Sequence, residues 1–334
     1  MLVVDQQDVQ RTLGMPAAID AMRYALMALD RGDALQPDRS SFSLSVAENM
    51  CWLMPAYGGN PASLGVKVLT AFPGNAGTPH ETHQGAVLLF GEHGELLALI
   101  DATAITAIRT AAVSAVATDA LARADATRLT ILGSGAQAMS HLDAMRCVRA
   151  TSHVRVWSRS HAHASRFALD ARERFDVDVE VTSTVAEAVA DADIICATTG
   201  AHSPILEAGL VRGGAHINAV GSGSARHREL STGVVKGARV FVDRMASALR
   251  EAGDILLAIA EGGISEAHVA GEIGAVLTGR SSGRRSDDEI TIFKSVGLGI
   301  EDVAAARLVY GECLRLGLGQ EVAFGGPASR AGGG

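Results

Sequence analysis

The sequence predicts an α/β protein: a parallel sheet with helices on both faces, joined to an α+β unit whose sheet is mainly antiparallel. Three observations carry this. Residues 128–244 alternate short β-branched runs with segments of helical spacing, as repeated β–α units do. Residues 1–125 instead carry strand runs joined by turns, and a long apolar helix over 102–122 links the two regions. The 334 residues are 48% hydrophobic and 20% charged, enough for about two domains and a large core.

Taken in order, the chain opens with one helix over 9–32, "VQRTLGMPAAIDAMRYALMALDRG". Strand runs follow at 39–46, 49–57 and 64–72, then a hairpin over 83–101 turning at Glu92-His93-Gly94-Glu95. Beyond the linking helix, strands are expected at 128–133, 153–158, 177–182, 192–199, 216–221 and 239–244. Helices are expected at 136–149, 163–175 and 183–191. The first unit is placed at 1–125, completed by 305–334, and the second at 126–304.

Composition narrows the function. The net charge is −8 and no Lys/Arg block occurs, which argues against nucleic acid as a partner. Cys51, Cys147, Cys196 and Cys313 lie far apart and outside any zinc spacing, so no metal is expected and a reducing, cytoplasmic location fits. The start, "MLVVDQQDVQ", lacks the basic segment of a signal peptide. No uncharged stretch reaches about 18 apolar residues, so no membrane span is expected. The Gly-rich ending, 325–334, reads as frayed.

One loop carries chemistry. In Gly133-Ser134-Gly135-Ala136-Gln137-Ala138, a strand runs into the loop and a helix runs out of it. Gly133 permits the tight turn, Gly135 allows close backbone approach to a pyrophosphate, and Ala138 is the small residue where helix meets strand. A second strand closes a unit of about 30 residues, the context a dinucleotide-binding loop requires. The alternative is a tight turn in another kind of α/β domain. At the end of that second strand an NAD site usually has an acid for the ribose 2′-OH. This chain has Ser158-Arg159-Ser160, where Arg159 can pair with a 2′-phosphate and both serines can donate to it. NADP(H) is therefore favoured over NAD(H); a solvated surface Arg159 is the competing explanation.

Arg109 is the only charge between Asp101 and Asp119, in a helix apolar enough to be buried. A buried guanidinium needs a partner, either a protein carboxylate or that of a substrate. Thr106, Thr110, Ser114 and Thr118 form an i,i+4 row beside it. Lys67 lies within a strand; taken alone it reads as exposed, as does Arg39 at the head of another, and His83 is a loop histidine of no evident role.

Together "PDRSS", "MPAYGG", "LGVKVLTAFPGN", "THQGAVLLF", "LLALIDATAITAIRTAAVSAVATDALAR", "LGSGAQA", "ADIICATTGAHSPIL", "HINAVGSGS", "GEIGAVLTGR" and "TIFKSVGLGIED" resemble the ornithine cyclodeaminase/mu-crystallin family, in order from about residue 37 to 302. The resemblance implies a homodimer, a Rossmann domain for the cofactor, and an active site between it and a substrate-binding, dimerising unit. It implies that Arg39, Lys67 and Arg109 meet the substrate, with His83 near substrate and nicotinamide. Gly133 to Gln137 would hold the pyrophosphate, and Ser158 to Ser160 the adenosine ribose. Thr110, Thr198, Thr199, Val220 and Gly221 would line the cofactor, and Ser222 the substrate.

Two departures matter. Cyclodeaminases of this family carry a proton-handling Asp where this chain has Gly223, and no acid stands from Ser222 to Arg226. Their NAD-binding members carry an acid where this chain has Arg159. Both point to the reductase branch: reduction of a cyclic imine 2-carboxylate, Δ1-pyrroline-2-carboxylate to L-proline first and the piperideine homologue second. Arg109 and Arg39 would clamp the carboxylate and Lys67 or His83 would supply the proton. The alternatives are ornithine cyclodeaminase, an alanine-type amino-acid dehydrogenase, and a non-catalytic NADPH-dependent binding protein of the crystallin kind.

Overall fold

The computed structural model describes residues 1–44, 49–59, 61–75 and 77–324, so the Gly-rich ending lies outside the described residues. The first unit runs β1 (Leu2–Val4), α1 (Gln6–Thr12), α2 (Met15–Arg31), β2 (Ser40–Ser43), β3 (Met50–Gly58), β4 (Ser63–Ala71), β5 (His83–Phe90), β6 (Leu96–Asp101) and α3 (Ala102–Leu121). The single helix expected over 9–32 is two. Pro16 sits in the first turn of α2 and has no N–H to continue a helix from α1, and Gly14 caps the new start.

The second unit runs β7 (Arg128–Leu132), α4 (Ala136–Val148), β8 (His153–Trp157), α5 (His161–Phe175), β9 (Val179–Val181), α6 (Val185–Val189), β10 (Ile194–Ala197), β11 (His216–Ala219), α7 (Thr232–Gly237), β12 (Arg239–Val242), α8 (Met245–Glu251), α9 (Gly253–Ala260), β13 (Val269–Glu272), α10 (Ile273–Leu277) and β14 (Thr291–Lys294). The chain then returns through α11 (Gly299–Leu316) and β15 (Gln320–Glu321). Residue 304 lies within α11, which packs on β3 and β4 of the first unit.

The eight-stranded sheet is parallel throughout, in the order β13-β12-β14-β11-β10-β7-β8-β9. Read from β9 to β11 this is the 3-2-1-4-5 part of the doubly wound order, with the switch point between β7 and β10, and β14 then inserts between β11 and β12. The seven-stranded sheet, β15-β1-β6-β5-β4-β3-β2, is antiparallel except where β1 lies parallel to β6. The short apolar run at the N-terminus is thus a strand, which periodicity over three residues could not reveal. The β5–β6 turn rests on Gly94, whose φ of +79° suits glycine, and closes through Gly91 N–H to Glu95 C=O at 2.9 Å.

Helix α3 joins the two units. It packs on α2, β5 and α11 of one and on α4, β11 and β14 of the other. It has the length and hydropathy of a membrane span but is mostly buried in protein. That all-round burial explains its apolar character. It carries the i,i+4 row through the centre of the molecule: Ser114 meets His141 at 2.9 Å and Thr118 accepts from Asn218 at 2.8 Å.

Candidate active site

The glycine loop leaves the C-terminal end of β7, beside the switch point. Gly133 has φ +113°, and a Cβ there would lie 2.8 Å from the Thr198 carbonyl oxygen, so the turn admits only glycine. Gly135 caps α4 with no side-chain bond, and a Cβ on it would meet nothing within 4 Å. The approach to the N-terminus of α4 is therefore clear beside Gly135, as a pyrophosphate site requires. Gln137 donates to the Thr106 carbonyl at 3.4 Å, and its buried Oε1 has no partner. At the β8 end, Ser134 and Ser158 share a hydrogen bond of 3.0 Å and Ser160 caps α5. Arg159 is exposed and makes no hydrogen bond or ion pair among the described residues. These residues fit a dinucleotide.

Lys67 is 1% exposed, on the inward face of β4 with Ser63 and Gly65. Its Nζ lies 2.9 and 2.8 Å from the two oxygens of Asp302, and 3.4 Å from the Thr106 hydroxyl. Burial draws its pKa down to about 8, with Asp302 opposing the fall. Arg109, 4% exposed, donates from Nε to Asp302 at 2.9 Å and from Nη1 to Glu301 at 2.6 Å. Its partners are thus two protein carboxylates, both fully buried at the start of α11. Burial pushes Glu301 up to about 7 against the pull of Arg109, and its Oε1 has no partner. Gly297 makes room for the guanidinium: φ is +81°, and a Cβ would sit 2.7 Å from Nη1.

Arg39 reaches across to the second unit, donating to the Val296 carbonyl at 3.1 Å and pairing with Glu251 on α8. Its Nη2 approaches the Gly223 carbonyl at 3.5 Å. Arg39, Lys67, Arg109, Thr106 and the glycine loop thus converge where β14 hands the chain back to α11, and Thr110 lies buried in α3 next to Arg109. His83 opens β5 with an exposed side chain, yet its protein side is crowded. Desolvation draws its pKa below the ordinary value, Glu81 opposes this, and the charge of Lys67 adds to it.

Ser222 is not presented to this space. It is buried, and its hydroxyl donates to the carbonyl oxygens of His227 and Ser224 in its own loop. Gly223 is exposed and lies outside the left-handed region, and a Cβ on it would meet nothing within 4 Å. Thr198 bonds back to the Leu132 carbonyl at 3.0 Å, and Val220 N–H to that of Ala197 at 2.9 Å. Thr199 and Gly221 are both held by Glu229.

Sequence reasoning missed Glu301, Asp302, Glu229, Asp254 and Lys294. The first two had a signal: a lone arginine in a buried helix demands an acid, and Gly299-Ile300-Glu301-Asp302 offers two among apolar neighbours. Lys294, at the end of the apolar strand "TIFK", had the same kind of signal. Glu229 and Asp254 had none.

The sequence pattern of the ornithine cyclodeaminase/mu-crystallin family matches residues 1–316. The chain belongs to that family. Family members similar to it include Δ1-pyrroline-2-carboxylate reductase of Bacillus cereus, 34% identical over 326 residues that cover 97% of this chain and 100% of the relative. Mouse ketimine reductase mu-crystallin is 39% identical over 280 residues, 84% of this chain and 85% of the relative. Among solved structures, Thermococcus litoralis Δ1-pyrroline-2-carboxylate reductase in complex with NADH and L-proline superposes with a TM-score of 0.94 at 33% identity, covering 96% of this chain and 100% of that one.

Proposed function

We propose that this chain is an NAD(P)H-dependent reductase of cyclic imine 2-carboxylates, with Δ1-pyrroline-2-carboxylate, giving L-proline, as its first substrate and the six-membered homologue as its second. The observation that carries this is the buried Lys67–Asp302–Arg109 cluster, linked to the glycine loop through Thr106 and Gln137. The similarity to reductases named for this chemistry supports it.

A bound dihydronicotinamide supplies the hydride that reduces the C=N carbon. The chain's own residues do the rest. Nη2 of Arg109 makes no hydrogen bond among the described residues, and with Arg39 it offers planar donors to the substrate carboxylate. Lys67, protonated below about pH 8, holds the proton that the imine nitrogen takes up, with His83 as second donor. The burial of Lys67 and Arg109 strengthens both contacts. Ring closure with loss of ammonia needs a further proton-handling group, and Gly223 supplies none.

The same proposal includes a preference for NADPH through the unpaired Arg159, and a reducing, cytoplasmic location suited to four free thiols. Residues 1–125 with α11 and β15 serve substrate binding and dimerisation, and the eight-stranded unit serves the cofactor. A homodimer is supported by Phe42, Leu53, Tyr57 and Leu64, exposed on one face of β2–β4. The experiment is a panel of cyclic imines, pyruvate with ammonia, and L-ornithine, followed by NADPH and NADH absorbance and product analysis. Proline from the five-membered imine is expected. Ammonia and proline from ornithine without imine reduction, or cofactor binding with no turnover of any substrate, would overturn the proposal.

A further inference from the structure

The second unit holds a buried charge cluster that no step above uses. Oε1 of Glu229 accepts from the N–H and the hydroxyl of Thr199, both at 2.7 Å, and Oε2 accepts from Gly221 N–H at 2.7 Å. One carboxylate therefore ties the segment leaving β10 to the segment leaving β11. Behind it, Asp254 Oδ1 accepts from Glu229 and Leu230 N–H at 2.8 and 2.9 Å, and Oδ2 lies 2.9 Å from Lys294 Nζ. Lys294, at the end of β14, also donates to the Ser222 carbonyl at 2.6 Å. All three charged side chains are buried. The ends of three neighbouring strands are thus joined by one network.

Stability alone does not call for such a network, because well-packed apolar residues commonly replace buried ion clusters without loss. What charge adds here is direction: the carboxylate aims two strand-end N–H groups inward and draws the backbones together. A Cβ on Gly221 would lie 2.0 Å from the Thr199 carbonyl oxygen and 2.6 Å from Glu229 Oε1. The place matters as well. The glycine loop follows β7 and the ribose-end residues follow β8, so the adenosine half of a dinucleotide would lie over β7–β9 and the other half over β10 and β11.

We propose that Glu229 is a positioning residue for the nicotinamide half of the cofactor, holding the Thr199 and Gly221 segments at the spacing the ring requires. It acts through their backbones and rests on the cofactor reading above, but not on the identity of the imine. Burial pushes its carboxyl up to about 6, against the pull of Lys294, so in the wild type the clamp loosens in mild acid.

The test measures binding of NADPH and NADH by fluorescence, with ADP-ribose and its 2′-phosphate, which lack nicotinamide, titrated as competitors of a fluorescent adenosine nucleotide. Glu229→Gln keeps the shape but turns one acceptor into a donor facing an N–H. It is expected to weaken NADPH about tenfold or more while leaving the nicotinamide-free nucleotides within about twofold of wild type. Wild-type NADH affinity is expected to fall below about pH 6, with no matching fall for ADP-ribose, and that limb is expected to vanish in Glu229→Gln. Neither of these two carries a 2′-phosphate, which titrates in this range. Should Glu229→Gln not fold, the wild-type pH comparison decides alone. Equal weakening of both nucleotide classes, or unchanged NADPH binding, would overturn the positioning role while leaving the reductase reading intact. Failure of the wild type to bind either dinucleotide would overturn both.

Discussion

Replacing Asp302 by Asn removes the charge that keeps Lys67 protonated. The perturbation is nearly isosteric, so its effect falls on the proton. Lys67 is drawn below 10.5 to about 8 by burial, and Asp302 is the largest influence resisting that fall. At 2.8 Å and an effective dielectric of ~20, Coulomb's law gives roughly 6 kcal/mol for the pair. Entry of water and relaxation reduce this, but a drop of about 2 pKa units needs only ~2.7 kcal/mol. The sign follows from the charge type. A depressed ammonium is protonated below its pKa, so donation is available below about pH 8 in the wild type and is lost as pH rises through it. In Asp302→Asn the alkaline limb of kcat moves to about pH 6 or lower. Initial rates of NADPH oxidation with saturating cyclic imine, measured from mild acid to alkali, read this directly. The imine's own ionisation is common to both enzymes and cancels. Glu301→Gln gives a smaller shift in the same direction, because Glu301 is the weakest of the influences raising Lys67. An unmoved limb in Asp302→Asn would show that Lys67 is not the proton donor.

Arg109→Met strands two buried carboxylates, so it is expected to destabilise the fold by about 3–5 kcal/mol, and adding Glu301→Gln and Asp302→Asn is expected to recover part of that in a denaturant titration. Arg159→Asp is expected to weaken NADPH roughly 10- to 100-fold and NADH far less, as measured by the ratio of Michaelis constants. Gly223→Asp points its new Cβ into open space, so its melting curve is expected to match wild type within about 0.5 kcal/mol; ammonia release from L-ornithine, near zero in wild type, is the activity to watch for a gain. His141 and His216 are buried neutral, held down to about 4 and about 3, mainly by desolvation. Their lowered pKa values make stability fall as pH drops from 6.5 toward those values, by roughly 3–5 kcal/mol per histidine at the limit, and His141→Gln is expected to flatten the acid limb of Tm against pH.

The two-unit α/β plan, six strands of the parallel sheet, the glycine loop and the linking helix were all legible in the residues alone. Each is written in local periodicity or in a contiguous motif, and local spacing survives folding. The need of Arg109 for an acid was legible too, since the surrounding helix left no solvent to serve it. Which acid it meets was settled by folding. Glu301 and Asp302 lie 192 and 193 residues away in the chain, and a pairing that distant has no local pattern. The same holds for Lys67, which alternation alone leaves on either face until α11 covers β4. It holds for Glu229, whose partners Thr199 and Gly221 meet it only because parallel pairing of β10 and β11 brings their ends together. Conversely Ser222, adjacent to the expected site in sequence, is turned inward by its own loop. Burial makes an unpaired charge untenable, so the order of residues dictates which groups must find partners. The packing of the two sheets around α3 dictates which partners they find.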